Sequence, residues 1–93
     1  MSKYNLKMLK QEQYYKGGKF ETLEEKDMGN DNTWENIQQA TSRETLKWFR
    51  SIGSKQKVTT EIKNGLTVVK IYSYEPYRTD KRSLHVYTEI KEG

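Results

Sequence analysis

The sequence predicts an α+β fold in which short helices pack on one face of a three-stranded antiparallel β-meander. Two observations predict it. Residues 33–53 carry helix-start and helix-end signals around an amphipathic pattern, and residues after 57 alternate apolar with polar around Asn64-Gly65. The chain has 93 residues, of which 32% are hydrophobic and 32% are charged, so we expect one small domain with a thin core.

The first part of the chain gives the weakest structural signal. Apolar residues in 3–15 do not fall on one side of a helix, and Gly17-Gly18 interrupts whatever forms there. We therefore expect 1–30 to be a mobile or loosely packed segment that precedes an α+β domain at 31–93. No apolar run near the amino terminus is long enough for a signal peptide or a membrane span, which favours a cytoplasmic protein with no membrane partner.

Two helices are predicted, at 33–40 and 42–52. Asn32 or Thr33 can cap the first helix. Before the second, Thr41 and Glu44 have the spacing of a capping box, and Gly53 suits the left-handed conformation that often ends a helix. The second helix has an apolar stripe that we expect to cover the sheet, formed by Leu46, Phe49 and Ile52 with Trp48 at its edge.

Three strands are predicted, at 57–63, 66–75 and 82–90. Asn64-Gly65 is a strong signal for a type I′ hairpin turn, which pairs the first two strands. A second turn at 76–81 pairs Ile71 with Val86. Both registers place one apolar set on the face beneath the second helix: Val58, Ile62, Val69, Ile71, Leu84, Val86 and Ile90.

The same registers predict an aromatic and basic surface on the opposite face. Its candidate interaction residues are Tyr72, Tyr74, His85 and Tyr87, and they lie near Lys57 and Lys70. Such a surface can stack single-stranded bases or dock a protein. The alternative is that residues 1–28 or a second subunit cover it.

Basic residues on the second helix form a second candidate site. Arg43, Lys47 and Arg50 recur at i, i+4 and i+7, opposite the apolar stripe, and we group them with Lys70 as candidate nucleic-acid-binding residues. The chain has a net charge of +4, which permits contact with nucleic acid. The alternative interpretation is a lysine-rich, solvated surface.

The sequence gives no indication of a catalytic, metal or cofactor site. It contains no cysteine, and its single histidine, His85, has no paired acid nearby. Gly17-Gly18 lacks the Lys-Ser/Thr of a phosphate-binding loop, and no nucleophile elbow is present. We therefore expect a protein that is not an enzyme.

The predicted helices, the tight turn between them and the following hairpin resemble a winged helix-turn-helix. Residues 42–46, SRETL, are similar to the start of recognition helices in bacterial regulators. This resemblance implies a helix in the major groove and a hairpin that serves as the wing. The chain departs from the pattern, because the turn Ala40-Thr41 is short and lacks glycine, and the sheet is larger than a typical wing.

Residues 40–54, ATSRETLKWFRSIGS, and the short alternating strands after them resemble small lysine- and tyrosine-rich proteins of bacteriophages and prophages of low-GC Gram-positive bacteria. The resemblance implies an intracellular protein acting in the host cytoplasm during infection. Its implied role is to bind DNA through the basic helix, as a regulatory or accessory protein. The alternative is a module that inhibits or recruits a host or phage protein through the tyrosine-rich face. The sequence leaves a homo-oligomer open.

Overall fold

The computed structural model describes residues 2–75, 77–78 and 80–90, which form strands and two short helices. Their order along the chain is β1 (Lys3–Gln13), β2 (Phe20–Asp27), β3 (Asn32–Thr33), α1 (Trp34–Ala40), α2 (Arg43–Ser51), β4 (Lys55–Lys63), β5 (Leu66–Tyr74) and β6 (Lys81–Ile90). No helix in these ranges is long and apolar enough to cross a membrane.

The strands form one antiparallel sheet in the order β2-β1-β6-β5-β4, and the two-residue β3 pairs with the start of β1. The predicted three-stranded meander is therefore wrong. Residues 1–30 were expected to be mobile or loosely packed, yet Lys3–Gln13 form an inner strand that pairs with β6 from Lys3–Ile90 to Glu12–Lys81. Apolar side chains alternate along the start of β1, and this period-two pattern is a strand signal that a search for a helical face misses.

Hydroxyl side chains divide the helical region into α1 and α2. Thr33 Oγ1 accepts a hydrogen bond from the Asn36 amide at 3.4 Å at the start of α1. Ser42, rather than Thr41, caps α2, because Ser42 Oγ accepts from the Thr45 amide at 3.2 Å. Thr41 instead ends α1, and its hydroxyl donates to the Ile37 carbonyl at 2.9 Å. The cap of α2 therefore lies one residue after the predicted one, and Thr45 rather than Glu44 occupies the third position after it.

The core lies between α1 and one face of the sheet. Ile37 of α1 is 1% exposed, and it packs in a cluster with Tyr4, Val69, Ile71 and Tyr87. By contrast, α2 fully buries no residue: its Leu46 and Phe49 are half-buried, while Trp48 and the following Ile52 are 59% and 56% exposed. Helix 42–52 was expected to cover the sheet, but α2 lies against α1 and only the edge strand β4.

The first hairpin has the predicted register. Asn64 and Gly65 have φ values of 53° and 77°, the left-handed pair that a type I′ turn requires. Val58 therefore lies opposite Ile71.

The predicted register between β5 and β6 is wrong by one residue. Ile71 lies opposite His85 rather than Val86, and Tyr72 lies opposite Leu84. Pro76, on which the predicted second turn was closed, is outside the described residues. A shift of one residue exchanges the two faces of a strand. His85 therefore shares the helix-covered face with Ile71, while Leu84 and Val86 point to the opposite face.

The helix-turn-helix resemblance is also contradicted by this architecture. The hairpin of β4 and β5 is one side of a continuous sheet and not a separate wing. The first helix of the supposed motif packs into the core through Ile37. These elements belong to a sheet protein with helical cover on one face.

Truncating Ile37 should destabilise the protein strongly. We expect Ile37→Ala to lower the free energy of unfolding by about 2–5 kcal/mol, because it leaves a cavity between α1 and the sheet. Ile62→Ala is the matched control, since Ile62 is 74% exposed and should change stability by less than about 0.5 kcal/mol. Urea unfolding measures both, and equal losses would contradict this description of the core.

Candidate functional site

The sheet face that α1 does not cover, here called the open face, is predominantly basic. Strand pairing and alternation assign ten charged side chains to it. The basic ones are Lys3, Lys7, Lys55, Lys57, Lys63, Lys70 and Arg82, and the acidic ones are Glu25, Asp27 and Glu61. The excess of cations favours an anionic ligand over a cationic one.

Arg82 lies between two aromatic rings on this face. Its guanidinium carbon is 3.8 Å from the centroid of the Phe20 ring and 4.7 Å from that of Tyr72. Arg82 Nε also donates a hydrogen bond to Gln11 Oε1 at 2.7 Å. Burial lowers the pKa of Arg82 below its ordinary value, but the group remains a cation at neutral pH. We call Phe20, Arg82 and Tyr72 the arginine stack.

A β-bulge in β2 brings Phe20 to the arginine stack. Lys10 pairs with Glu24 while the next residue, Gln11, pairs with Thr22, so Leu23 is an extra residue in β2. If β2 alternated regularly from Glu24, Phe20 would lie on the same face as Glu24, which is the helix-covered face. The bulge places Phe20 on the open face instead, where it reaches Arg82 of β6 across β1.

A shallow pocket of about 340 Å³ opens beside the arginine stack. Its lining consists of Phe20, Lys57, Thr59, Tyr72, Tyr74 and Arg82. It thus combines aromatic rings with two cations and contains no acidic residue. The volume is at the lower end of the range for small-molecule sites and suits a single planar group.

A larger cleft of about 510 Å³ at the end of the sheet has a different electrostatic character. Three of its four basic residues lie near acids: Lys10 Nζ is 3.4 Å from a Glu24 carboxylate oxygen, Lys81 Nζ is 3.9 Å from one of Glu12, and a terminal nitrogen of Arg78 is 3.8 Å from one of Asp80. The fourth, Arg82, also lines the smaller pocket. This cleft is close to charge-balanced. The smaller pocket is therefore the better candidate for an anionic ligand.

The structure divides the predicted tyrosine-rich face. Tyr72 and Tyr74 line the pocket, next to Lys57. Tyr87 is 7% exposed and belongs to the core cluster beneath α1, while His85 lies opposite Ile71 on that same helix-covered face. The placement of His85 and Tyr87 on an exposed interaction surface is therefore wrong, and the cause is the one-residue error in the β5–β6 register.

The predicted nucleic-acid-binding residues are not brought together either. Lys70 is on the open face, where its ammonium lies 3.0 Å from the carboxylate of Glu61. Arg43, Lys47 and Arg50 are exposed on α2, and none of them lines the pocket. The sequence-based reasoning missed Phe20 and Arg82. Arg82 depends on the β5–β6 register, which was predicted wrongly, and Phe20 depends on the bulge.

Within residues 2–75, 77–78 and 80–90, no cluster of three or more His, Asp or Glu side chains could hold a metal ion. Comparison with protein-family models, curated proteins and solved structures found no match.

Acidification should destabilise the protein through His85. Burial lowers the pKa of His85 below 6.5, so the unfolded chain binds this proton at a higher pH than the folded chain. Stability contributed by neutral His85 is complete above about pH 6.5 and falls as the pH drops through the folded pKa. The carboxyls of Asp27 and Glu61 titrate below this window, because hydrogen bonds from the Gly29 amide and from Lys70 lower their pKa values.

Two measurements check this expectation. The chain has one histidine, so its imidazole proton signals can be followed by NMR titration without assignment, and the midpoint should lie below pH 6.5. Urea midpoints should fall between neutral pH and about pH 5, and His85→Gln should remove most of that fall. An NMR midpoint above 6.5 would contradict the half-buried position of His85.

Proposed function

We propose that this protein binds single-stranded nucleic acid on the open face of its sheet. Bases stack on the ring of Tyr74 and on the arginine stack, while Lys57 and the terminal nitrogens of Arg82 contact phosphates. The observation that carries the proposal is the acid-free pocket beside the arginine stack. We retain the regulatory or accessory role that was predicted from the sequence, but we assign the binding site to the sheet instead of the basic helix.

The chemistry of the pocket matches that of an unpaired nucleotide. Every base has a π-face, so aromatic side chains can bind single strands without selecting a sequence. The phosphate linking two bases needs a nearby cation, which Lys57 and Arg82 supply. An open sheet face with aromatic residues, backed by helices on the other face, is also how a common class of RNA-binding domains binds single strands.

Arg82 is suited to contact both a base and a phosphate. Its Nε is occupied by Gln11, and the hydrogen bonds within the described residues include none from its terminal guanidinium nitrogens. Those nitrogens can donate to a phosphate in the planar geometry that favours arginine over lysine. Phe20 and Tyr72 fix the plane of the guanidinium before a ligand arrives, which reduces the entropy cost of binding.

A duplex fits this surface less well than a single strand. Stacking on Tyr72 or Tyr74 requires a base whose face is exposed, and bases within a duplex already stack on their neighbours. We also propose a cytoplasmic location, in the host cell of a phage.

Removing two lysines from the open face should weaken binding and reduce its dependence on salt. Lys55 lies opposite Tyr74 on the open face and supplies a further phosphate contact. For Lys55→Ala/Lys57→Ala, we therefore expect the slope of log affinity against log salt to flatten by about 1.4, since each phosphate contact to a single strand contributes about 0.7. The measurement is fluorescence anisotropy with labelled oligothymidylate at several salt concentrations. Arg43→Ala/Lys47→Ala is the matched control, because it removes the same charge from α2.

The two variants separate the open face from the basic helix. If the α2 variant loses the salt dependence and the β4 variant keeps it, the basic stripe of α2 is the binding site and the proposal fails. If neither wild type nor variant binds a single strand, the protein-interaction alternative is favoured. Duplex DNA of the same length should bind more weakly, and equal affinity would also contradict the proposal.

Removing an aromatic ring should lower affinity without changing the salt slope. We expect Tyr74→Leu to cost about 1–3 kcal/mol of binding free energy if one base stacks on that ring. Leucine keeps the apolar contact with the sheet, so stability should be largely retained. The exposed Tyr14, which is 77% accessible and outside the pocket, provides the control Tyr14→Leu. Equal affinities of the two variants would exclude stacking on Tyr74.

A further inference from the structure

The two edge strands of the sheet carry opposite charge. β2 has four acids and one lysine: Glu21, Glu24, Glu25 and Asp27 against Lys26. β4 has three lysines and one acid: Lys55, Lys57 and Lys63 against Glu61. Within the described part of the chain, neither strand pairs with another strand along its outer side.

Both edges are accessible to a partner. Every residue of β2 after Phe20 is exposed, and six of the nine residues of β4 are exposed although α2 lies against that strand. An edge strand presents unpaired backbone amides and carbonyls, which is the arrangement that strand addition uses. Two β2 strands would repel each other, as would two β4 strands. The charges therefore disfavour contacts between like edges and favour contact between unlike edges.

We propose that the partner of these edges is a second copy of this chain, with β2 of one copy adding to β4 of the next. Four antiparallel steps separate β2 from β4 in the sheet, so the two strands run in the same direction. If the next copy is related to the first by a translation across the strands, its β4 lies parallel to β2 of the first copy. The open faces of the two copies then lie on the same side. Glu25 and Asp27 then lie on the same face as the lysines of the neighbouring β4.

This contact is head-to-tail, because it joins different surfaces of the two copies. Such contacts build rings or open arrays rather than closed dimers. A carboxylate oxygen of Glu24 lies 3.4 Å from Lys10 Nζ in the same copy, and one of Glu25 lies 3.2 Å from Lys7 Nζ. The side chains of Glu24 and Glu25 are nevertheless 63% and 50% exposed. Each carboxylate has a second oxygen that can accept from another lysine. The bulge at Leu23 shortens the regular part of the edge, so we expect weak, salt-sensitive association.

The test exchanges the edge charges and measures sedimentation velocity without nucleic acid. Lys55→Glu/Lys57→Glu makes both edges acidic, and Glu24→Lys/Glu25→Lys makes both edges basic. At low salt, the sedimentation coefficient of the wild type should rise with protein concentration, and high salt should abolish the rise. For each variant alone, the concentration at which association begins should increase by about tenfold or more, equivalent to about 1.4 kcal/mol. An equimolar mixture of the two variants should restore association.

Each outcome decides the proposal. A wild type that remains monomeric at every concentration overturns it, as does a variant that associates like the wild type or a mixture that does not associate. Circular dichroism checks that both variants are folded. If Glu24→Lys/Glu25→Lys does not fold, Glu24→Gln/Glu25→Gln replaces it, and unchanged association of that neutral variant overturns the proposal. Because nucleic acid is absent, this result does not depend on the proposed function.

Discussion

The pairing of β1 with β6 is the constraint on which the rest of the structure depends. It joins Lys3 to Ile90, near the two ends of the chain, and makes one sheet from the β1–β2 hairpin and the β4–β5–β6 meander. It also brings Tyr4 into the core beneath α1, and it brings Gln11 to Arg82 on the open face. Closing so long a loop costs chain entropy, which the contacts of the complete sheet must offset.

Features that depend on local chemistry could be predicted from the sequence. Asn64-Gly65 determines its own turn and therefore the register of β4 with β5. The second register could not be predicted, because the connection from β5 to β6 is longer and both faces of β6 offer apolar side chains. Leu84 and Val86 alternate as convincingly as a core face should, yet they lie on the open face, and Tyr87 enters the core. Two predicted registers that agree on one apolar face give weak support for that face when both faces of one strand carry apolar side chains.

The candidate site could be predicted where it depends on a local turn, but not where it depends on long-range strand pairing. Tyr72, Tyr74 and Lys57 were found because they alternate on strands whose register follows from the tight turn. Phe20 could not be found, since its face depends on one extra residue in β2 and its strand reaches the rest of the sheet only through β1. The sequence of β1 and β2 has no turn signal as specific as Asn64-Gly65. The half of the site contributed by long-range pairing was therefore missed.

The open face must stabilise the sheet as well as bind a ligand. Leu84 and Val68 are each 6% exposed, although α1 covers the opposite face, so neighbouring side chains on the open face shield them. Tyr72 lies directly opposite Leu84, and its ring packs against the guanidinium of Arg82. This explains how a chain with 32% hydrophobic residues sustains a sheet of this size, because aromatic and long basic side chains supply part of the cover. Side chains fixed by that packing are already ordered, so a ligand that stacks on them loses little affinity to conformational entropy.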